Sequence, residues 1–297
     1  MRNYKFVKNF KFNIIISLVL MSVGIAGIAL LPFGISLFNL NIDFLGGTIL
    51  QYELRTTVDN SQLDEIRGIV EAATGETATV QRSGDTGALI KTVDIDSGKR
   101  QAVTNALKDR YGISDSDLLM ADNVTPTVGR DLRNSAIMSV VLASFLILVY
   151  IAIRFEFKSG LAAVLAQIHD VFVMLSFYVI FQIPVDTNII VTMLITLGYS
   201  LNASIIVFDR IRENRKYMPK SEFAEVADLS SSQTFVRNIN TALTTLFPLG
   251  MIILLGVPSI RDFAIPVSIG LIAGTFSSLF LAAPMWTYFR GGKKARI

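Results

Sequence analysis

Six stretches of this chain carry no Asp, Glu, Lys or Arg: residues 12–42, 134–153, 171–185, 187–208, 238–260 and 263–289. A bilayer core takes roughly 20 apolar residues as a helix, because each residue advances the helix by about 1.5 Å. Five of the six runs reach that length unaided. Composition points the same way: 52% of residues are hydrophobic and 17% charged, where soluble domains carry about 25% charge. The mean hydropathy of +0.52 is too high for a water-soluble chain of this length. The sequence is that of a polytopic helical membrane protein.

Several classes of function drop out at once. With no cysteine, the chain has no disulfide framework, thiolate metal site or thiol nucleophile. Its single histidine, His169, rules against a histidine-rich zinc site, so neither a metal nor another cofactor is expected. A net charge of +3 lacks the basic face that nucleic-acid binding requires. HExxH, GxSxG and nucleotide-binding loops are missing, and no Ser/His or paired-Asp arrangement suits an intramembrane protease. An enzyme is not expected.

The N-terminus has a basic start, with Arg2, Lys5, Lys8 and Lys11, followed by an apolar segment from Asn13 to about Phe33. That segment is longer than the ~7–15-residue core of a signal peptide, so residues 1–38 read as a cytoplasmic start and an uncleaved first span. Residues 39–133 are of different material, mixed and charged, with Gly, Asp, Ser and Thr turns. The spacing predicts strand Thr48–Arg55, helix Ser61–Thr74, strands Thr77–Arg82 and Ala88–Ile95, helix Ser97–Tyr111 and strand Asp117–Val124. That β-α-β-β-α-β order is the ferredoxin-like pattern. Five more spans follow within 134–289, at 134–153, 160–182, 187–208, 237–257 and 263–289, with one long cytoplasmic loop at 209–236 and a basic tail at 290–297. The expected fold is therefore α-helical and polytopic, with six transmembrane helices and one α+β ferredoxin-like extracytoplasmic domain. Orientation follows from Lys and Arg. Sixteen fall in the segments on the side of the N-terminus and one, Arg261, in the short loops opposite. Both termini are then inside and the 39–133 domain outside.

Asp170 is the most informative side chain. It lies about ten residues into the 160–182 span, ~15 Å deep, near the bilayer midplane. Intramembrane carboxyls are expensive and functional by default. Asp170 is either a titrating group in an ion pathway or a neutral, hydrogen-bonded clamp between helices, with neighbouring His169 as a candidate partner. His169, about 100° around the helix, is not expected to share its face; it is a proton shuttle or a structural imidazole. The next span carries Gly198, Tyr199, Ser200, Asn202 and Ser204, then Asp209, Arg210, Arg212, Glu213 and Asn214 at the interface. Small and polar residues there serve either helix packing or function. Asn202 and Asp209, seven apart, share a helix face. Arg237, at the start of a span rich in Asn and Thr, is either a snorkelling interface residue or the counter-charge to a bundle carboxylate. Gly270, Gly274, Thr275, Ser277 and Ser278 form a packing stripe to which no chemistry is assigned. After the first span, Asp43 precedes Gly46-Gly47, whose conformational freedom suits a tight turn into the domain, a hinge.

Together, Ile42 to Thr48, Arg154-Phe155-Glu156, Ile168 to Val171 and, above all, Gly198 to Asn202 with Phe208 to Asn214 resemble the SecF family of bacterial protein export. Gln233-Thr234, Arg237 and Thr241 to Thr245 extend the resemblance, which covers essentially the whole chain. It implies six spans of the resistance-nodulation-division type, a homologous partner SecD, and association with the SecYEG translocon, YajC, exported preproteins and membrane lipid. It further implies use of a proton or sodium gradient to promote late release of exported polypeptide at the cell membrane. Many members carry Asn-Asp in the span-four motif, whereas this chain has Asn202-Ala203. Ala203 cannot titrate. Ion coupling through Asp170, His169, Arg237, Asn202 or a SecD carboxylate, a non-conducting scaffold, and a transporter half for lipid or small solutes all stand as readings.

Overall fold

A computed structural model describes residues 4–124, 126–256 and 258–291. The chain divides into two units, Met1–Asn39 with Ala136–Ile297, and Leu40–Ser135. The first opens with α1 (Phe10–Leu30).

The second unit begins at a short turn of helix, α2 (Ile42–Leu45), followed by β1 (Gly47–Glu53). Gly46 and Gly47 have φ of 77° and 148°, a region that L side chains rarely enter, so glycine is needed where the helical turn becomes a strand. Then come α3 (Asn60–Thr74), β2 (Ala78–Ser83), β3 (Gly87–Thr92), α4 (Ser97–Tyr111) and β4 (Leu118–Val124). The sheet order is β2-β3-β1-β4 with every pair antiparallel, the ferredoxin-like topology. The expected elements are present, with strand ends shifted by at most three residues. The third strand stops at Thr92 because the chain then turns so that the Ile95 N–H can reach the Thr48 hydroxyl at 3.2 Å. Local chemistry sets the helix ends. Asp59 and Gln62 form a capping box at the start of α3, Asp96 caps α4, and left-handed Gly75 and Gly112 close them. Leu50, Tyr52, Ile66, Val80, Ile90 and Leu107 fill the core.

Asp117 fastens the last strand of this unit. It accepts from the Ser114 N–H at 2.7 Å and from the Arg55 guanidinium at 2.6 Å, and these bonds hold its carboxyl down at about 2 from 3.8. A depressed native pKa means the stabilisation is full above 3.8 and is lost as pH falls towards about 2. Asp117→Asn is therefore expected to lower the melting temperature at neutral pH and to flatten its decline between pH 4 and pH 2. Circular dichroism melts of the full chain across that range test this, and an unchanged acid limb would count against it.

The first unit resumes with α5 (Pro126–Arg154), then α6 (Phe157–Ile180), α7 (Asn188–Tyr217), α8 (Phe223–Leu255), α9 (Pro258–Ser277), a π-helical turn (Ser278–Ala282) and α10 (Ala283–Phe289). Counting α1, and counting α9, the π-turn and α10 as one long helix, six helices among the described residues are long and apolar enough to cross a membrane. The π-turn has a cause in the sequence: Pro284 lacks an N–H, and its ring crowds the carbonyl four residues back, which a wider turn relieves. The span containing α6 and that of α9–α10 are the most enclosed, and α5 the least. Ile137, Met138, Val141, Leu142 and Phe145 on α5 are all more than half exposed, a lipid-facing row.

The long loop expected at 209–236 is not there. Instead α7 runs on to Tyr217 and α8 starts at Phe223, leaving only a short connection. Charge ended the apolar runs, but not the helices. Phe208, Ile211 and Asn214 bury one face of α7, and Val226, Ala227, Ser230 and Ser231 bury one face of α8. The ladders continue beyond the apolar runs because amphipathic faces still pack. The N-terminal segment docks here too. Phe6 is fully buried beside Phe280, and the Val7 N–H donates to Asp228 Oδ1 at 2.8 Å. Of the basic residues at the two ends, Arg2 and those in 292–297 lie outside the described residues.

Candidate functional site

Asp170 sits near the middle of α6 with no exposed surface. Three side chains reach it. The Ser200 hydroxyl of α7 donates to Oδ2 at 2.5 Å, and the Ser277 hydroxyl of α9 donates to the same oxygen at 2.8 Å. His169 Nδ1 lies 2.9 Å from Oδ1. The carboxyl group therefore ties three helices together at a point shielded from lipid and water.

Close helix approach makes this possible. Gly274 backs directly onto Ser200, whose Cα lies 3.1 Å from where a Cβ on the glycine would be. One turn earlier, Gly270 lies against Thr196, so a Cβ there would stand 2.1 Å from the threonine hydroxyl oxygen. The Gln167 amide, one turn before Asp170, donates to the Leu197 carbonyl at 3.2 Å and adds a second α6–α7 tie.

Sequence reasoning missed Ser277. A Gly/Ser stripe reads as packing, and nothing local reveals which serine will meet a carboxyl from another helix. A π-turn starts at the next residue, and such turns occur often at functional sites, but it is visible in the fold and not in the sequence. His169 is placed against Asp170, the partner that the clamp reading names. Their backbone directions differ by about 100°, yet His169 Nδ1 and Asp170 Oδ1 come within hydrogen-bond distance. His169 Nε2 is buried without a partner among the described residues, so the imidazole is held on one side only.

The other candidates are placed elsewhere. Asn202 and Arg237 are exposed on α7 and α8, and neither reaches Asp170. Arg237 lies well inside α8, not at a helix start, and forms no ion pair with a described residue. Ala203 is buried, and the Asn238 amide lies 3.5 Å from its carbonyl. Gly198 faces open space, and Tyr199 is partly buried. The interface signature works as internal fastening. Arg210 bonds Gln233 and Glu213 at 2.6 Å each, and Asn214 bonds Ser230 at 2.9 Å and Gln233 at 2.8 Å. Asp209 is 4.0 Å from Arg154, whose carbonyl accepts from Arg212 at 3.5 Å. Among the described residues, no cluster of three acidic or histidine side chains is arranged to hold a metal.

These observations define a class: a six-span helical membrane protein with one ferredoxin-like unit in its chain and a hydrogen-bonded carboxyl at the heart of its bundle. Known proteins narrow it. The family described as "Protein export membrane protein SecD/SecF, C-terminal" matches residues 103–292. Protein translocase subunit SecF of Sebaldella termitidis is 39% identical over 262 residues, covering 86% of this chain and 84% of that one. Protein translocase subunit SecDF of Bacillus subtilis is 33% identical over 276 residues, covering 91% of this chain but only 36% of that one. The crystal structure of SecDF from Thermus thermophilus, a translocon-associated membrane protein, superposes with a TM-score of 0.82 at 28% identity, over 97% of this chain and 38% of that one. The chain belongs to the SecD/SecF family, on its SecF side.

Proposed function

We propose that this chain is an accessory subunit of the Sec protein-export machinery. It works beside SecD, with SecYEG and YajC, and uses an ion gradient to promote late release of exported polypeptide. The observation that carries the coupling is the buried cluster of Asp170, His169, Ser200 and Ser277. A hydroxyl donates one hydrogen, and Ser277 has a second acceptor within reach, the Gly274 carbonyl at 3.3 Å. When Oδ2 gains a proton it becomes a donor to the Ser200 oxygen, Ser277 turns to that carbonyl, and the link from α6 to α9 loosens. Loss of the proton draws it back. One proton thus biases a helix contact between two arrangements, which is what coupling requires.

Two observations support SecD as the partner. In the Bacillus subtilis relative the matching segment is only 36% of a longer chain named SecDF. Asn202 and Arg237 are polar groups exposed on membrane helices, where an unpaired cation is costly. A carboxyl on a neighbouring subunit would satisfy the arginine. The excess of Lys and Arg on one side supports cytoplasmic termini and an extracytoplasmic 39–133 domain, joined to the first span by the Asp43 and Gly46-Gly47 hinge.

The test is preprotein release from vesicles holding this chain, SecD and SecYEG, with and without an imposed proton or sodium gradient. Gradient-stimulated release is expected, and it should be lost in Arg237→Ala but largely kept in Arg237→Lys. Stimulation seen only after Ala203→Asp would overturn the coupling and leave a scaffold.

A further inference from the structure

We propose that a second site in this chain, built from residues other than those of the Asp170 cluster, binds the phosphodiester headgroup of an anionic phospholipid. The site lies where the Phe155–Glu156 turn meets the end of α7, the start of α8 and the end of α10, in a cleft of about 370 Å³. Clefts for small ligands run from roughly 300 to 1,000 Å³. Arg212, Arg215, Lys216 and Arg290 line it, with Glu156 as the one carboxylate.

Internal partners leave most of this positive charge in place. Glu156 is taken by Arg290 at 3.3 Å. Arg215 donates to the Met218 and Ser221 carbonyls at 3.4 and 2.6 Å, and Arg212 reaches the Arg154 carbonyl only at 3.5 Å. Carbonyls orient a guanidinium without cancelling its charge. The Lys216 ammonium has no hydrogen bond or ion pair among the described residues. A forked guanidinium matches two phosphate oxygens, and an ammonium adds a point charge.

The surroundings commit the site to a lipid. Tyr217, beside Lys216, and Tyr288, between Trp286 and Arg290 in the sequence, are 79% and 73% exposed, as in the aromatic belt at headgroup level. Ile153 and Phe157, beside the Phe155–Glu156 turn, are exposed too and offer an apolar track for acyl chains. The Phe223 ring packs 4.7 Å from the Arg290 guanidinium and fixes its position. Trp286, also lining the cleft, is 3% exposed, and its indole N–H has no acceptor among the described residues. Basic clefts between membrane helices recognise anionic headgroups in this way. The proposal gives Arg212, part of the span-four signature, a role of its own, and it does not depend on the export reading.

The test is thermal unfolding and native mass spectrometry of the purified full chain, titrated with dioctanoyl phosphatidylglycerol, with the phosphatidylcholine of equal chain length, and with inorganic phosphate. Phosphatidylglycerol is expected to raise the melting temperature saturably and to stay bound in the gas phase, and the other two are not. Each cation removed near an anionic lipid weakens binding about fivefold, so Lys216→Gln should show that loss and Lys216→Gln with Arg212→Gln about thirtyfold. Lys216→Gln breaks no internal bond and should melt like the parent without lipid, whereas Lys216→Arg should retain binding. An equal response to phosphatidylcholine would overturn a headgroup site. An equal response to inorganic phosphate would make it a soluble-anion site, and undiminished binding by the double variant would locate the lipid elsewhere.

Discussion

Asp170→Asn is expected to reduce gradient-stimulated release to its level without a gradient while leaving the bundle folded. Asparagine has the same shape and still offers an oxygen to accept and an amide to donate. Ser200 can rotate its hydroxyl to accept, and Ser277 can turn to the Gly274 carbonyl at 3.3 Å. What is lost is the proton. Asp170→Ala should behave differently, because it leaves the buried Ser200 hydroxyl and His169 Nδ1 without their partner, while Ser277 keeps only the Gly274 carbonyl. Each stranded group costs about 1–3 kcal/mol, so this variant should lose stability as well as function. Melting temperatures and yields of the two variants, measured beside release, separate titration from clamping. Normal stimulation by Asp170→Asn would reduce the cluster to a structural clamp.

Gly270→Val is expected to be among the most damaging apolar substitutions in the chain. Even a first methyl carbon would stand 2.1 Å from Thr196 Oγ1, and Thr196 is itself fully buried against Met174. Overpacking of this kind costs about 1–3 kcal/mol. The cost will not stay local. Prising α7 from α9 separates Ser200 from Ser277, the two hydroxyls that converge on one oxygen of Asp170. Function should therefore fall further than stability alone accounts for. Gly198→Ala serves as the control, because nothing lies within 4 Å of its added carbon and alanine favours helix by about 1 kcal/mol. Its melting temperature should hold or rise. If Gly270→Val melts like the parent, the close contact between α7 and α9 does not hold the site together.

Much of the architecture could be read before any coordinates, for identifiable reasons. Apolar runs free of charge mark membrane helices because a bilayer tolerates little else, and all six were visible. In the ferredoxin-like unit the turn residues sit where helices begin and end, so α4 was placed at Ser97–Tyr111 to the residue. The failures share a cause. The 209–236 segment looked like a loop because it is charged, yet one face of each helix stays buried through it. Ser277 looked inert, since only tertiary packing brings it to a carboxyl 107 positions earlier in the chain. Arg237 read either as a snorkelling residue or as a counter-charge, and no described residue of this chain pairs with it, so the choice lies outside patterns along one helix. Patterns along one helix report its faces, and which helix each face meets is written elsewhere in the sequence.

The π-turn at Ser278–Ala282 makes the last helix a length of chain with a built-in offset. A regular helix turns about 100° per residue, so the surplus residue of the wide turn sets the bearing of everything after it. With that offset, Trp286 packs 5.0 Å from Phe208 and 5.2 Å from Phe223. Without it, the indole would swing a quarter-turn or so out of that aromatic nest while Ser277 kept its place. The two ends of this helix are thus independently aimed, one at the carboxyl within the bundle and the other at the rings near its rim. The bulge works as a fixed mitre joint between them.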